Sequence, residues 1–299
     1  MEEILTIKKE IEEIEDRADS IGDRVLEVLD KMPSYKRSNL SDEQRATLSS
    51  LSPDIVMELR GHLYNSVREQ SEREKNGDSN SMDKYRERPK VFMKGVLKGE
   101  VFERLVVLDP VIKKERFDKE DMENESKIKH MEELSNEILS VMQNPARYGL
   151  EEKIQVHRLP DATYINITDK GYVEILGVGE AKSGSIHDRF YQQADNYRRS
   201  VNTVAGELSK LRHVKRLRNL GLVHLADRME KSGMEGVSNF VRVSPNFKKT
   251  LIVPQNKKIE DDLIKESVDN IIHSSFTNYE IAAITDFFYD EIKKIDEDL

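Results

Sequence analysis

The chain contains no cysteine, which excludes a disulfide framework and any thiolate metal site. It also lacks an apolar run approaching the roughly 18 residues needed to cross a bilayer, so no membrane is expected among its partners. Met1, Glu2 and Glu3 do not open the basic-then-apolar layout of a secretory signal, and with the missing cysteine this points to a cytoplasmic protein. No internal repeat, phosphate-binding glycine loop, zinc-ligand spacing or Ser/His/Asp array is present. The histidines are scattered, and His157 and His224 read as structural. Surplus positive charge is lacking too: the formal net charge is −9, which argues mildly against a polyanionic partner, since affinity for nucleic acid rests on Lys and Arg contacts to phosphate.

What is present suits one sizeable core with helical additions. Of 299 residues, 37% are hydrophobic and 35% charged, a balance that fits a soluble protein with long exposed helices. Ile4, Ile7, Ile11, Ile14, Ala18, Ile21, Val25, Val28 and Met32 recur by threes and fours, a heptad seam weakened at Gly22. That stripe is narrow and needs a partner. It serves either as a coiled-coil arm for a homodimer or as a brace against this chain's own later helices. Pro33 ends it, Ser41 and Gln44 form a capping box for a second helix, and Ser52-Pro53 opens a third to about Glu69. Residues 1–70 thus read as a helical N-terminal region, 71–90 as a polar linker, and 91–299 as the main domain. Within it, Glu123–Met142 reads as an amphipathic helix stopped at Asn144-Pro145. Basic helical stretches run to about Lys231, strands follow at Phe240–Val243 and Lys249–Val253, and closing helices at Asp261–Ile272 and Asn278–Ile295.

The chemistry is concentrated in Pro160-Asp161 and Glu180-Ala181-Lys182. Asp161–Ile167 and Tyr172–Lys182 read as strands joined by the turn Thr168–Gly171, a hairpin that brings Asp161 opposite Glu180. Because side chains alternate along a strand, Glu180 and Lys182 point one way while Ala181 points the other and leaves its carbonyl at the strand edge. Two carboxylates and a carbonyl make an incomplete, all-oxygen shell suited to Mg²⁺ or Mn²⁺, with positions left for water and phosphate. Lys182 adds an amine able to act on bound water or on a pentacovalent phosphate.

These residues resemble the PD-(D/E)XK nuclease superfamily, which implies an α/β fold with an αβββαβ core, a restriction-endonuclease-like sandwich. Lys98–Leu108 is similar to the family's first core helix, whose Gly-x-x-Phe-Glu pattern delivers a carboxylate to the metal; Glu103 fits that slot better than Glu100. Lys153–His157 is the candidate first strand. Gln193 and Tyr197, four apart on the helix that begins near Ser185, resemble the Gln-x-x-x-Tyr motif of recombination nuclease domains, and this spacing sets them on one helical face. The resemblance covers about Val91 to Gln255. It implies that Asp161, Glu180, the Ala181 carbonyl and Glu103 hold Mg²⁺ or Mn²⁺, with Lys182, Gln193 and Tyr197 completing the catalytic set.

Ser183 and Ser185 are expected to offer donors to phosphate. Arg198, Arg199, Arg212, Lys215 and Arg216 make a local basic region that reads either as the bed of a DNA backbone or as a solvated face. The implied activity is a Mg²⁺-dependent DNA endonuclease of restriction or mobile-element type. The alternatives are an exonuclease or repair nuclease, or a non-catalytic nucleic-acid-binding coiled-coil protein.

Overall fold

The structure, a computed structural model, describes residues 21–75, 89–116, 124–150, 160–184, 186 and 190–296. Ile4, Ile7, Ile11, Ile14 and Ala18 of the heptad, the expected strand Lys153–His157 and Ser185 lie outside the described residues. The chain divides into two units, residues 1–110, 254–257 and 274–299 in the first and 111–253 and 258–273 in the second. That division differs from the boundary read at Val91, because the helix Pro89–Leu108 and the last helix, Asn278–Ile295, both belong with the N-terminal helices.

In its described residues the first unit is helical: α1 (Ile21–Asp30), α2 (Asp42–Ser49), α3 (Asp54–Lys75), α4 (Pro89–Leu108) and, from the far end of the chain, the Asn278–Ile295 helix. The end of the heptad stripe is covered within the chain. Ile21, Val25 and Leu29 are buried, Arg24 pairs with Glu291 through both guanidinium nitrogens, and its head lies 5.2 Å from the Phe287 ring centre. The Ser41–Gln44 capping box forms as expected, and Thr277 with Glu280 forms a second one on the last helix. Glu280 is fully buried and also accepts from the Ser38 backbone N–H at 2.9 Å, which fixes the loop after α1. Helix α3 runs on to Lys75, past the expected stop near Glu69. Glu, Arg and Lys are good helix formers, so the loss of apolar residues after Ser71 marks solvent exposure rather than the end of the helix.

The second unit is built on one mixed sheet in the order β1-β2-β3-β4. It opens with α5 (Pro110–Arg116), which starts at the unit boundary, and α6 (Glu125–Gln143). The predicted hairpin forms, with β1 (Ala162–Ile167) antiparallel to β2 (Val173–Ala181). Helix α7 (Phe190–Lys210) then crosses the sheet, followed by α8 (Val214–Asn219), α9 (Val223–Lys231) and β3 (Val241–Val253), which pairs parallel to β2. The two strands expected at Phe240–Val243 and Lys249–Val253 are one strand with a bulge: Ser244–Phe247 stand opposite Leu176 alone, between the pairs Ile175–Val243 and Gly177–Lys248. Pro245 is exposed within that bulge, where its missing N–H costs no ladder bond. Gly177 is required at the next step, since a Cβ there would come 2.4 Å from the Lys248 carbonyl oxygen.

The helix expected over Asp261–Ile272 is shorter than that. Asp261 caps α10 (Asp262–Ser267), and Asn270–His273 forms β4, parallel to β3. Val268, Ile271 and Ile272 are β-branched and lie beside an open strand edge, so sheet pairing overrides the helical spacing. The last helix, α11 (Asn278–Ile295), matches its expected bounds. The core of the second unit joins Leu134, Ile138, Val178, Tyr197, Val201 and Leu251. Glu137 of α6 caps α9, for which Leu222 supplies no side-chain cap, by accepting the N–H groups of His224 at 2.8 Å and Leu225 at 2.9 Å. Burial holds the Glu137 carboxyl above the usual carboxylate range, against the pull of those backbone donors.

Two stability outcomes follow from this packing. Gly22 is a contact point rather than only a weak spot: a Cβ would lie 2.5 Å from the Leu48 carbonyl oxygen and the Ser49 backbone. Gly22→Ala should therefore lower the melting temperature, because an overpacking cost of about 1–3 kcal/mol exceeds a propensity gain of about 1 kcal/mol. An unchanged or higher melting temperature would show that α1 and α2 can separate freely. Glu137→Ala should cost about 1–2 kcal/mol in urea unfolding through loss of the α9 cap.

Candidate functional site

The site lies where β2 outruns β1. At the end of the hairpin the Asp161 N–H donates to the Gly179 carbonyl at 2.9 Å, and the Asp161 carboxylate accepts the Ala181 N–H at 2.6 Å. Asp161 thus continues the ladder with its side chain where its backbone stops. On the other side of β2, the Lys182 N–H donates to the Ile252 carbonyl of β3 at 2.9 Å. In a strand the N–H and C=O of one residue point to the same side. The Ala181 carbonyl is therefore directed to the Asp161 side of β2, the disposition expected of a carbonyl ligand.

Glu180 sits opposite Leu251 of β3, on the face covered by α7, and is only 2% exposed. A carboxylate there must be compensated, because removing a charge from water without partners costs several kcal/mol. Lys182 Nζ donates to Oε1 and the Tyr197 hydroxyl to Oε2. The lysine side chain keeps 31% of its surface in solvent, so it joins the buried carboxylate to the outside.

Several supporting residues carry no motif. Ser135 of α6 and Thr163 of β1 clasp each other, with the Ser135 hydroxyl 2.7 Å from the Thr163 carbonyl and the Thr163 hydroxyl 3.0 Å from the Ser135 carbonyl. Both are buried, and the clasp anchors β1 two residues beyond Asp161. The alternation that places Thr163 on the face of Asp161 is legible in the sequence. Nothing in the sequence marks Ser135.

The expected site residues fall into groups. Asp161, Glu180, Ala181, Lys182 and Tyr197 are brought together by the contacts above. Ser183, next along the chain, is buried. Gln193 stands on α7 one turn before Tyr197, and its side chain lies outside the described residues. Glu103 is half-buried on α4, which belongs to the first unit. Arg198 and Arg199 follow Tyr197 directly and are exposed; Arg198 reaches the Pro245 carbonyl at 3.4 Å. Arg212, Lys215 and Arg216 are distant from these. Ser209, just before them, donates its hydroxyl to the Val241 carbonyl at 2.6 Å, and Val241 pairs with Val173 at the start of β2. From Val173 to Glu180 the strand spans about 23 Å at a rise of ~3.3 Å per residue. Proximity in sequence therefore overstated the proximity of these cations to the carboxylates.

As a metal centre the donor set is half a shell. Among the described residues no group of three or more His, Asp or Glu side chains is arranged to hold an ion. Asp161, Glu180 and the Ala181 carbonyl offer two carboxylates and one neutral oxygen, all hard donors. That set fits Mg²⁺ or Mn²⁺ with the remaining positions taken by water or substrate oxygens.

No family model, curated protein or solved structure matches this chain. The geometry of the site therefore carries the functional reading by itself. Its first consequence concerns stability. Tyr197→Phe removes a donor to buried Glu180 and should cost about 1–3 kcal/mol in urea unfolding. Combined with Glu180→Gln, the two losses should be clearly non-additive. Simple additivity would mean that the hydroxyl and the carboxylate act independently.

Proposed function

We propose that the second unit is a metal-dependent phosphodiesterase domain of the PD-(D/E)XK type, acting on DNA as an endonuclease. The observation that carries this reading is Glu180: a buried carboxylate at the end of a central strand, held by Lys182 and Tyr197, with Asp161 across the hairpin. A carboxylate serving stability alone gains little from so costly a position. The element order supports the same reading, since an antiparallel hairpin leads through a crossover helix into a parallel strand.

In this reading Asp161, Glu180 and the Ala181 carbonyl would hold the ion, which when bound acidifies water and offsets charge on the scissile phosphate. Lys182, fixed by Glu180 yet partly in solvent, donates to a phosphate oxygen as negative charge develops there. Water attacks phosphorus, a P–O ester bond breaks, and the departing oxygen takes a proton. Tyr197 keeps the Glu180 carboxylate oriented through this step. It is a positioning residue, because it touches Glu180 and not the phosphate. Arg198 and Arg199, exposed beside the site, bind backbone phosphates without reading sequence.

The test is cleavage of supercoiled circular and linear DNA with Mg²⁺ or Mn²⁺. Wild-type protein should nick or linearise the circle and lose all activity in EDTA. Asp161→Asn and Lys182→Ala should each lower the rate by about 10²-fold or more; Asp161→Asn should keep an unfolding midpoint close to wild type, whereas Lys182→Ala also takes a donor from buried Glu180 and should lower it. Cutting confined to linear DNA would make the domain an exonuclease. Binding without cleavage of either form, or full activity in Asp161→Asn, would overturn the assignment.

A further inference from the structure

Helix α7 passes Glu180 in its early turns and ends at the opposite end of the strands, and from Asn196 onward its exposed residues include no acid. Tyr197 bonds Glu180 and Ser209 bonds Val241; the stretch between them is about 18 Å long at the helical rise of ~1.5 Å per residue. Arg198, Asn202, Gly206 and Lys210 are all exposed and recur every fourth residue, which sets them on one stripe. In a chain with 57 acidic residues, the one carboxylate between Asn196 and Asn219 is Glu207, which is buried and paired with Lys210. Past the helix end, Arg212, Lys215 and Arg216 are exposed. Among the described residues none of these three, nor Arg199, enters an ion pair. Arg218 differs, being engaged by Asp227 and Glu230.

Gly206 adds an independent observation. It lies in mid-helix on the exposed stripe, and a Cβ there would meet nothing within 4 Å. Packing does not require this glycine, and helix propensity disfavours it. A bare backbone at the middle of an acid-free stripe suits the close approach of another molecule's backbone.

We infer that the outer face of α7, continued by Arg212, Lys215 and Arg216, is a track for a nucleic-acid duplex leading from the Glu180 site to the far end of the sheet. This rests on the phosphodiesterase reading for what lies at its start. A track of about 20 Å corresponds to about six base pairs at ~3.4 Å each. Substrate must therefore extend about six base pairs to one side of the scissile phosphate to reach the distal cations, and shorter duplexes cannot gain from them.

The experiment compares fluorescein-labelled DNA, a hairpin of about 4 base pairs, too short to span the track, and a duplex of about 24, in EDTA across a salt series. Wild-type protein, Gly206→Glu and the triple variant Arg212→Ala/Lys215→Ala/Arg216→Ala are used. Wild type should bind the long duplex about tenfold or more tighter than the hairpin. The triple variant should lose most of that advantage and reduce the salt slope on the long duplex by about 2–3. Gly206→Glu places a carboxylate in open space at mid-track. It should weaken the long duplex severalfold while the melting temperature holds or rises, which separates loss of binding from loss of fold. Equal losses on both lengths, or none on the long duplex, would overturn the track. Parallel cleavage assays with Mg²⁺ keep the two readings apart. Cleavage that depends on Asp161 but ignores the stripe sinks the track alone. Length-dependent binding without any cleavage sinks the phosphodiesterase reading and leaves the track standing.

Discussion

A carboxylate buried at the end of a central strand constrains much of the second unit. Glu180 at 2% exposure is stable only if both oxygens find donors. One donor, Lys182, comes from the same strand two residues on, where alternation returns the side chain to the same face. The other must come from an element lying over that face, and Tyr197 of α7 meets the requirement. With its early turns docked there, α7 must run back along the sheet to reach the start of the parallel strand β3. The compensation of one charge therefore sets the direction of a helix about 30 Å long and, through it, where the basic residues at its end are delivered.

The sheet accommodates this through local departures from regularity. The pairing of β2 with β3 skips Leu176 against Ser244–Phe247, and the resulting bulge carries Pro245, whose carbonyl meets Arg198. Beyond the bulge the ladder resumes with the alternation that sets Leu251 beside Glu180 and Ile252 beside Ala181. A one-residue slip would exchange the faces of the whole segment. The Ser135–Thr163 clasp fixes the opposite flank, so that Asp161 meets the Ala181 N–H from a strand that α6 holds in place. In the first unit the comparable device is Glu280, which closes its own capping box and also fastens the loop at Ser38.

Local signals were legible in the sequence wherever a short stretch carried its own physical cause. The hairpin around Thr168–Gly171, the Ser41 capping box and the Asn278–Ile295 helix follow from turn chemistry, reciprocal hydrogen bonding and 3.6-residue periodicity. Those causes act within a few residues and need no tertiary partner. The pairing of Glu180 with Lys182 is of the same kind, since strand alternation alone puts both side chains on one face.

Other features depended on neighbours that no local window contains. Asn270–His273 became a strand because β3 offered an edge, Ser244–Phe247 became a bulge because β2 continued past it, and α3 ran on to Lys75 because exposure does not end a helix. Association of Pro89–Leu108 and Asn278–Ile295 with the N-terminal helices was likewise a tertiary outcome. The basic residues show the difference most clearly. Their types, and the single acid, Glu207, among residues 196–219, were determined by the sequence. Their separation into a pair beside Tyr197 and a cluster at the opposite end of the sheet was decided only when α7 was laid across the strands, because the helical rise converts a dozen residues into about 18 Å.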